Sequence, residues 1–132
     1  MKLAISEKDI RGIIELARRS PIEVCGFLLG RKEGNRIIVE EVRETENRLN
    51  SPAEFEIDPL EIAEVLDEAE KKGLEIVGIF HSHLKCPPVP SEKDIAGMNL
   101  WRNVWLIANS LGEIRAWILE NGEVREVGVE TR

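Results

Sequence analysis

The sequence predicts an α/β domain in which a mixed, mostly antiparallel β-sheet is packed between helices. Three observations predict it. Apolar stripes of helical period follow capping signals, apolar runs of strand length alternate with them, and tight-turn signals fold the last runs into a meander. With 132 residues the chain reads as a single domain, residues 1–132, able to bury one core without help from disulfides.

Taken in order, Ser6 with Asp9 at N3 starts a helix whose stripe is Ile10, Ile13, Ile14 and Ala17, ending near Arg19 ahead of Pro21. Val24 to Leu29, closed by Gly30, is short and almost wholly apolar, as a strand buried on both faces should be. A turn at Glu33-Gly34-Asn35 returns the chain into Arg36 to Arg43 as a hairpin partner. Residues 44–54 are polar and contain Pro52, so they read as an exposed loop, with Phe55 to Ile57 as a short extended piece. Asp58, Pro59 and Glu61 then open a second helix with the stripe Ile62, Val65, Leu66 and Ala69, stopped by Gly73. Leu74 to Phe80 is a strand that runs straight into His81-Ser82-His83. After Pro87, Pro88 and Pro90, Ser91 caps a short helix with Asp94 at N3. Val104 to Ala108, Ile114 to Leu119 and Val124 to Val129 form the meander, turning at Ser110 to Gly112 and at Asn121-Gly122, a type I′ signal.

Composition narrows the function classes. A net charge of -7 without a dense Lys/Arg cluster argues against nucleic acid as a partner. No run approaches the length of a membrane span and the opening residues lack a signal-peptide pattern, so a cytoplasmic protein is expected. Gln is absent while Glu, Lys and Arg abound, the ion-pair-rich habit of proteins from hot environments. Cys25 and Cys86 are too few for a secreted disulfide framework and match no zinc-finger spacing.

The chemistry concentrates at the end of the strand Leu74 to Phe80. His81 and His83 are the only histidines, and residues i and i+2 of a strand share a face, so both imidazoles can converge on one metal ion. Two surface histidines beside a strand end are the plain alternative. Asp94 adds a carboxylate, completing the three protein ligands of a catalytic zinc that leaves its fourth place to water. Ser91-x-x-Asp94 is also a capping box, and one residue pair can serve both purposes.

Glu23, His81-Ser82-His83, the seven residues LKCPPVP, Ser91, two residues and Asp94 together resemble the motif of the JAMM (MPN+) metalloproteases. EVCGFLLG, FEIDP at 55–59 and GLEIVGIFHSH extend the similarity over most of the chain, whereas Leu84 stands where many members carry Pro. The resemblance implies the MPN fold, a three-layer architecture like that of cytidine deaminases. It also implies one zinc ion per chain on His81, His83 and Asp94, with Glu23 as general base and Ser91 as hydrogen-bond donor to the oxyanion. Ser82 would merely hold the turn between the ligands. The chain looks most like single-domain archaeal members. Their activity implies hydrolysis of isopeptide or peptide bonds after the C-terminal diglycine of ubiquitin-like modifiers, with modifiers and their conjugates as partners. Release of a sulfur-carrier protein and a non-catalytic scaffold role are the alternatives, and family members often pair as homodimers. A zinc deaminase is set aside, because the chain lacks its P-C-x-x-C ligands. The tail would add as a strand to a sheet edge or to the loop at 84–90, with the loop at 44–58 as a second contact region.

Cys25 lies two residues after Glu23 and Cys86 just past His83, so a disulfide between them would pin the loop beside the metal. Two reduced thiols are the alternative.

Overall fold

The computed structural model describes all residues, 1–132. The chain runs β1 (Lys2–Ile5), α1 (Glu7–Arg19), β2 (Cys25–Glu33), β3 (Arg36–Thr45), α2 (Pro59–Lys71), β4 (Glu75–His83), α3 (Glu92–Leu100), β5 (Val104–Asn109), β6 (Ile114–Glu120) and β7 (Glu123–Thr131). The sheet is mixed, as expected: β2 pairs antiparallel with β3 and β4, β4 runs parallel to β5, and β5, β6 and β7 form the meander. The unforeseen feature is β1, which pairs in parallel with both β3 and β7 and closes the sheet into a barrel. Every strand therefore has two neighbours. Closure is partial along β3: β1 covers it only from Arg36 to Ile38, and from there to Thr45 it pairs with β2 alone.

Apolar side chains sort into two layers. Leu3, Leu28, Val39, Phe80, Leu106, Ala116 and Val127, one from each strand, meet inside the closed sheet, and Ile13 of α1 joins them. On the other face Phe27, Ile79, Ile107 and Leu119 pack with Val65 and Ala69 of α2 and Met98 of α3. Helices thus cover both sides of the sheet. No helix is long and apolar enough to cross a membrane.

Local chemistry sets the element ends. The Ser6 side chain accepts the Asp9 N–H, and Asp58 does the same for Leu60 ahead of α2. Glu61 leaves its expected capping role, because its carboxylate accepts the Glu46 N–H and lies near Arg43. Leu66, placed in the apolar stripe by periodicity, is half exposed, since Val65 and Ala69 suffice to seat the helix. Phe55 to Ile57 stays outside the sheet. Asn121 and Gly122 both have positive φ, 52° and 78°, as the type I′ turn requires.

One irregularity aims the site. Leu28 pairs with Gly78 but Leu29 with Ile76, so Val77 is an extra residue on β4. Beyond this bulge Phe80 points into the closed sheet, while Ile79 and His81 turn to the face covered by α2 and α3. Gly26 is obligatory beside it: a Cβ there would lie 2.5 Å from the Phe80 ring and 2.3 Å from the Arg43 carbonyl oxygen.

Candidate metal centre

His81 and His83 occupy the last residues of β4, and Asp94 lies in the first turn of α3. All three are buried, and one ligand-type atom from each lies within 4.8 Å of the others. His83 Nε2 is 3.0 Å from Asp94 Oδ2, and its Nδ1 is 2.9 Å from the Pro87 carbonyl oxygen. A proton on Nδ1 donated to that carbonyl leaves Nε2 free to bind a cation. His81 Nε2 sits 3.1 Å from Asp94 Oδ1 but without the alignment of a hydrogen bond, and neither of its ring nitrogens has a partner. Buried imidazole nitrogens are rarely left so. Two imidazoles and a carboxylate converging on one point, one of them unsatisfied, fit a divalent ion such as zinc.

α3 starts where it does because Ser91 and Asp94 cap it reciprocally: Ser91 Oγ accepts the Asp94 N–H at 3.1 Å, and Asp94 Oδ2 accepts the Ser91 N–H at 2.9 Å. The capping role and a ligand role coexist, since Asp94 Oδ1 is not used by the cap. The Ser91 hydroxyl hydrogen is not used by the box, and Ser91 lines a groove of about 380 Å³. That groove is lined by Glu23 and His83, with Pro52 and Ala53 on one wall and Leu84, Cys86, Pro87 and Val89 on the other.

Glu23 precedes β2 and is only 4 % exposed, with Oε1 lacking any hydrogen-bond partner. Its backbone is fastened on both sides. Asn47 Nδ2 donates to the Glu23 carbonyl at 2.9 Å, and the Glu23 N–H reaches the Ser51 carbonyl. Ser82 does more than hold a turn: its Oγ accepts the Val24 N–H at 2.9 Å and its N–H bonds the Val24 carbonyl, which ties the Glu23 segment to the histidine strand.

Electrostatics follow from this burial. Desolvation, then the nearby Asp94 carboxylate, pushes the Glu23 carboxyl up to about 8. Burial holds His81 below the usual histidine range. It opposes charge on His83 as well, but hydrogen bonds with Asp94 and the Pro87 carbonyl outweigh it and raise that residue. Burial likewise works to raise Asp94, yet the two histidines beside it prevail and hold its carboxyl well below the ordinary carboxylate range.

The cysteine bridge is not formed. Cys25 is buried with its sulfur turned toward β3, 3.5 Å from Thr45 Oγ1, and burial pushes its thiol up to about 11. Cys86 is a free, exposed thiol on the groove wall. The two-residue spacing of Glu23 and Cys25 does not bring the thiol to the groove, because at Cys25 the chain is already paired with Thr45.

Periodicity and spacing alone also overlooked three residues. Asn47 is buried with all four hydrogen-bonding positions used: it donates to Glu23 and Glu54 carbonyls and accepts the Leu49 and Glu56 N–H groups. Phe55 stacks on His81, and Trp105 meets the same ring edge-on. Only the Asn in a polar loop carried a signal, as a residue that bonds backbone locally.

Residues 6–120 match the model of the prokaryotic homologues of the JAB domain. A desampylase of Pyrococcus furiosus is 50 % identical over 128 residues, 96 % of this chain and 89 % of that protein. A probable TtuB-protein conjugate cleaving protease of Thermus thermophilus is 35 % identical over 119 residues, 86 % of this chain and 76 % of that one. A solution structure of a Desulfitobacterium hafniense protein superposes with a TM-score of 0.82 at 28 % identity, covering 98 % of this chain and 92 % of the other. With the His-x-His…Ser-x-x-Asp residues gathered at one buried point and a family model spanning all of them, the chain belongs to the prokaryotic JAB-domain family, the JAMM-type group its motif resembles.

Proposed function

We propose that this chain is a zinc-dependent isopeptidase that cleaves after the C-terminal diglycine of ubiquitin-like modifier proteins. The observation that carries the reading is the buried His81, His83 and Asp94 cluster, whose His83 lines one groove together with Ser91 and Glu23, a buried carboxyl with Oε1 unpaired. A zinc ion held by the three ligands would supply Lewis acidity, polarising the scissile carbonyl and making water a nucleophile near neutral pH. Glu23 takes the proton of the attacking water and returns it to the leaving amine. Ser91 donates its hydroxyl hydrogen to the oxygen that becomes negative as the carbonyl is attacked. Pro52, Ala53, Leu84, Pro87 and Val89 line the groove with apolar surface, to which a glycine backbone is suited because it approaches walls closely.

The names of the relatives, desampylase and probable TtuB-protein conjugate cleaving protease, support modifier conjugates as substrates. The tail lies along the 84–90 loop, whose Leu84, Pro87 and Val89 line the groove beside His83 and Glu23. A cytoplasmic setting and a homodimer belong to the same proposal, the latter checked by light scattering. The deciding experiment measures zinc content and cleavage of a diglycine-linked fusion, with Glu23→Gln as control. A zinc-loaded wild-type protein that leaves the fusion intact would sink the reading.

A further inference from the structure

We propose that Phe55 is a positioning residue for His81, setting by ring stacking the imidazole orientation that other metal-site histidines take from a hydrogen bond. The inference rests on reading His81 as a metal ligand. The two histidines of the centre are held by different means. His83 has its remote nitrogen fixed by the Pro87 carbonyl at 2.9 Å, an arrangement that orients the ring and selects the tautomer. His81 Nδ1 is buried and has no partner at all. What touches the ring is aromatic: Phe55 lies against its face, centroids 4.7 Å apart and planes 28° from parallel, and Trp105 meets it at 5.6 Å and 81°. Two rings on different sides leave the imidazole little freedom to turn about its χ2 bond, so its Nε2 stays aimed at Asp94 and His83.

Trp105 is an anchored wall, its indole N–H donating to the Trp101 carbonyl at 3.0 Å. Phe55 is delivered differently. On one side it packs on the core and on the Trp105 ring, centroids 5.8 Å apart; on the other it borders a pocket of about 210 Å³ lined also by Ile57, Ile62 and Trp101, so packing holds it from one side only. The backbone completes the hold. Asn47 accepts the Glu56 N–H and donates to the Glu54 carbonyl, gripping the chain on either side of Phe55, while its second amide hydrogen goes to the Glu23 carbonyl. One buried amide thus fixes the aromatic that orients a ligand and the segment that carries the base. Pro52 and Ala53, on the same loop, line the groove, so the element that meets substrate also sets the His81 ring.

The test compares Phe55→Leu and Phe55→Ile, which keep an apolar side chain without a ring, with Phe55→Tyr, which keeps the ring. Val65→Ala, which loosens the same apolar layer and presents no ring to His81, is the control. Zinc affinity is measured by competition with a chromophoric chelator, and ligand geometry by the visible absorption of the cobalt(II)-loaded proteins. The ring-less variants should lose about tenfold or more in zinc affinity, the low end for removing a ligand's outer partner, and their cobalt bands should shift. Phe55→Tyr and Val65→Ala should match the wild type in both readouts. Wild-type affinity and cobalt spectra in the ring-less variants would overturn the proposal, as would an equal loss in Val65→Ala. A wild-type protein that binds no zinc would overturn the metal-site reading and this inference with it.

Discussion

Glu23→Gln exchanges a buried carboxyl for an amide of nearly the same shape, so the main change is the ability to hold or release a proton. In the native protein this carboxyl is pushed from 4.5 up to about 8, by burial first and by Asp94 second. The native state therefore binds the proton more tightly than the unfolded chain does. The resulting stability is complete below the unfolded value of 4.5 and is lost as pH rises through the native value of about 8. At about 1.4 kcal/mol per pH unit, integrating from pH 5 to pH 8 gives a loss of roughly 3 kcal/mol from this one group. That is a large fraction of the stability of a small domain. Urea unfolding of the metal-free protein in chelator should show the wild type losing about 3 kcal/mol more than Glu23→Gln over this interval. His83, also raised, sheds stability with rising pH in both proteins, so most of its contribution cancels; what differs is the small pull of the Glu23 charge on it, the least of the influences that raise it. Equal losses in the two proteins would refute the claim that its surroundings keep Glu23 neutral. Saturating zinc should shrink the difference, because a cation beside the carboxyl favours its ionised form.

His81→Ala should abolish stoichiometric zinc binding together with activity, and elemental analysis finding a full equivalent of zinc would remove it from the ligand set; Asp94→Ala should do the same while also weakening the start of α3. Ser91→Ala should retain zinc and slow turnover by about 10²- to 10³-fold, with about 1 kcal/mol lost from the helix cap; an unchanged kcat would leave Ser91 only its cap. Asn47→Ala strands the buried carbonyls and N–H groups that the amide now serves and should cost about 3 kcal/mol in chemical denaturation, against which a loss near zero would count. Without reductant, a thiol reagent should label Cys86 in the native protein and Cys25 only on unfolding, whereas protection of both until reduction would indicate the bridge.

The His81, His83 and Asp94 cluster was legible because its geometry is local. Two histidines at i and i+2 of a strand and a serine three residues before an aspartate are patterns that backbone periodicity turns directly into shared faces. Glu23 was not legible on those terms: it came from the family resemblance, and its surroundings are built by Ser82, Asn47 and Ser51, none near it in sequence. Asn47 and Phe55 escaped for the same reason. Nothing within a few residues of Phe55 says that its ring meets His81 rather than the general core. β1 is four residues long with a lysine first, too short for alternation to speak, and its importance lies in pairing two distant strands, β3 and β7. The bulge at Val77 reverses which residues of β4 face which layer, so a strict two-residue alternation carried from Glu75 would have put His81 on the wrong face.

The proton preferences set by burial and by the neighbouring side chains run against those that a bound metal would require. Asp94 is ionised and draws His83 toward its charged form, His81 is kept neutral by burial, and Glu23 retains its proton into the neutral range. A bound cation inverts these preferences: it requires both imidazoles neutral with Nε2 lone pairs free, and it favours the carboxylate form of Glu23. If Glu23 is the base, the same burial couples its ionisation to the metal, because a buried carboxyl feels a nearby cation more strongly than an exposed one does. The fold can carry such a strained group of charges because its two apolar layers are built by other residues. The site hangs from them by non-local bonds, Ser82 to Val24 and Asn47 to Glu23, that hold position without contributing charge.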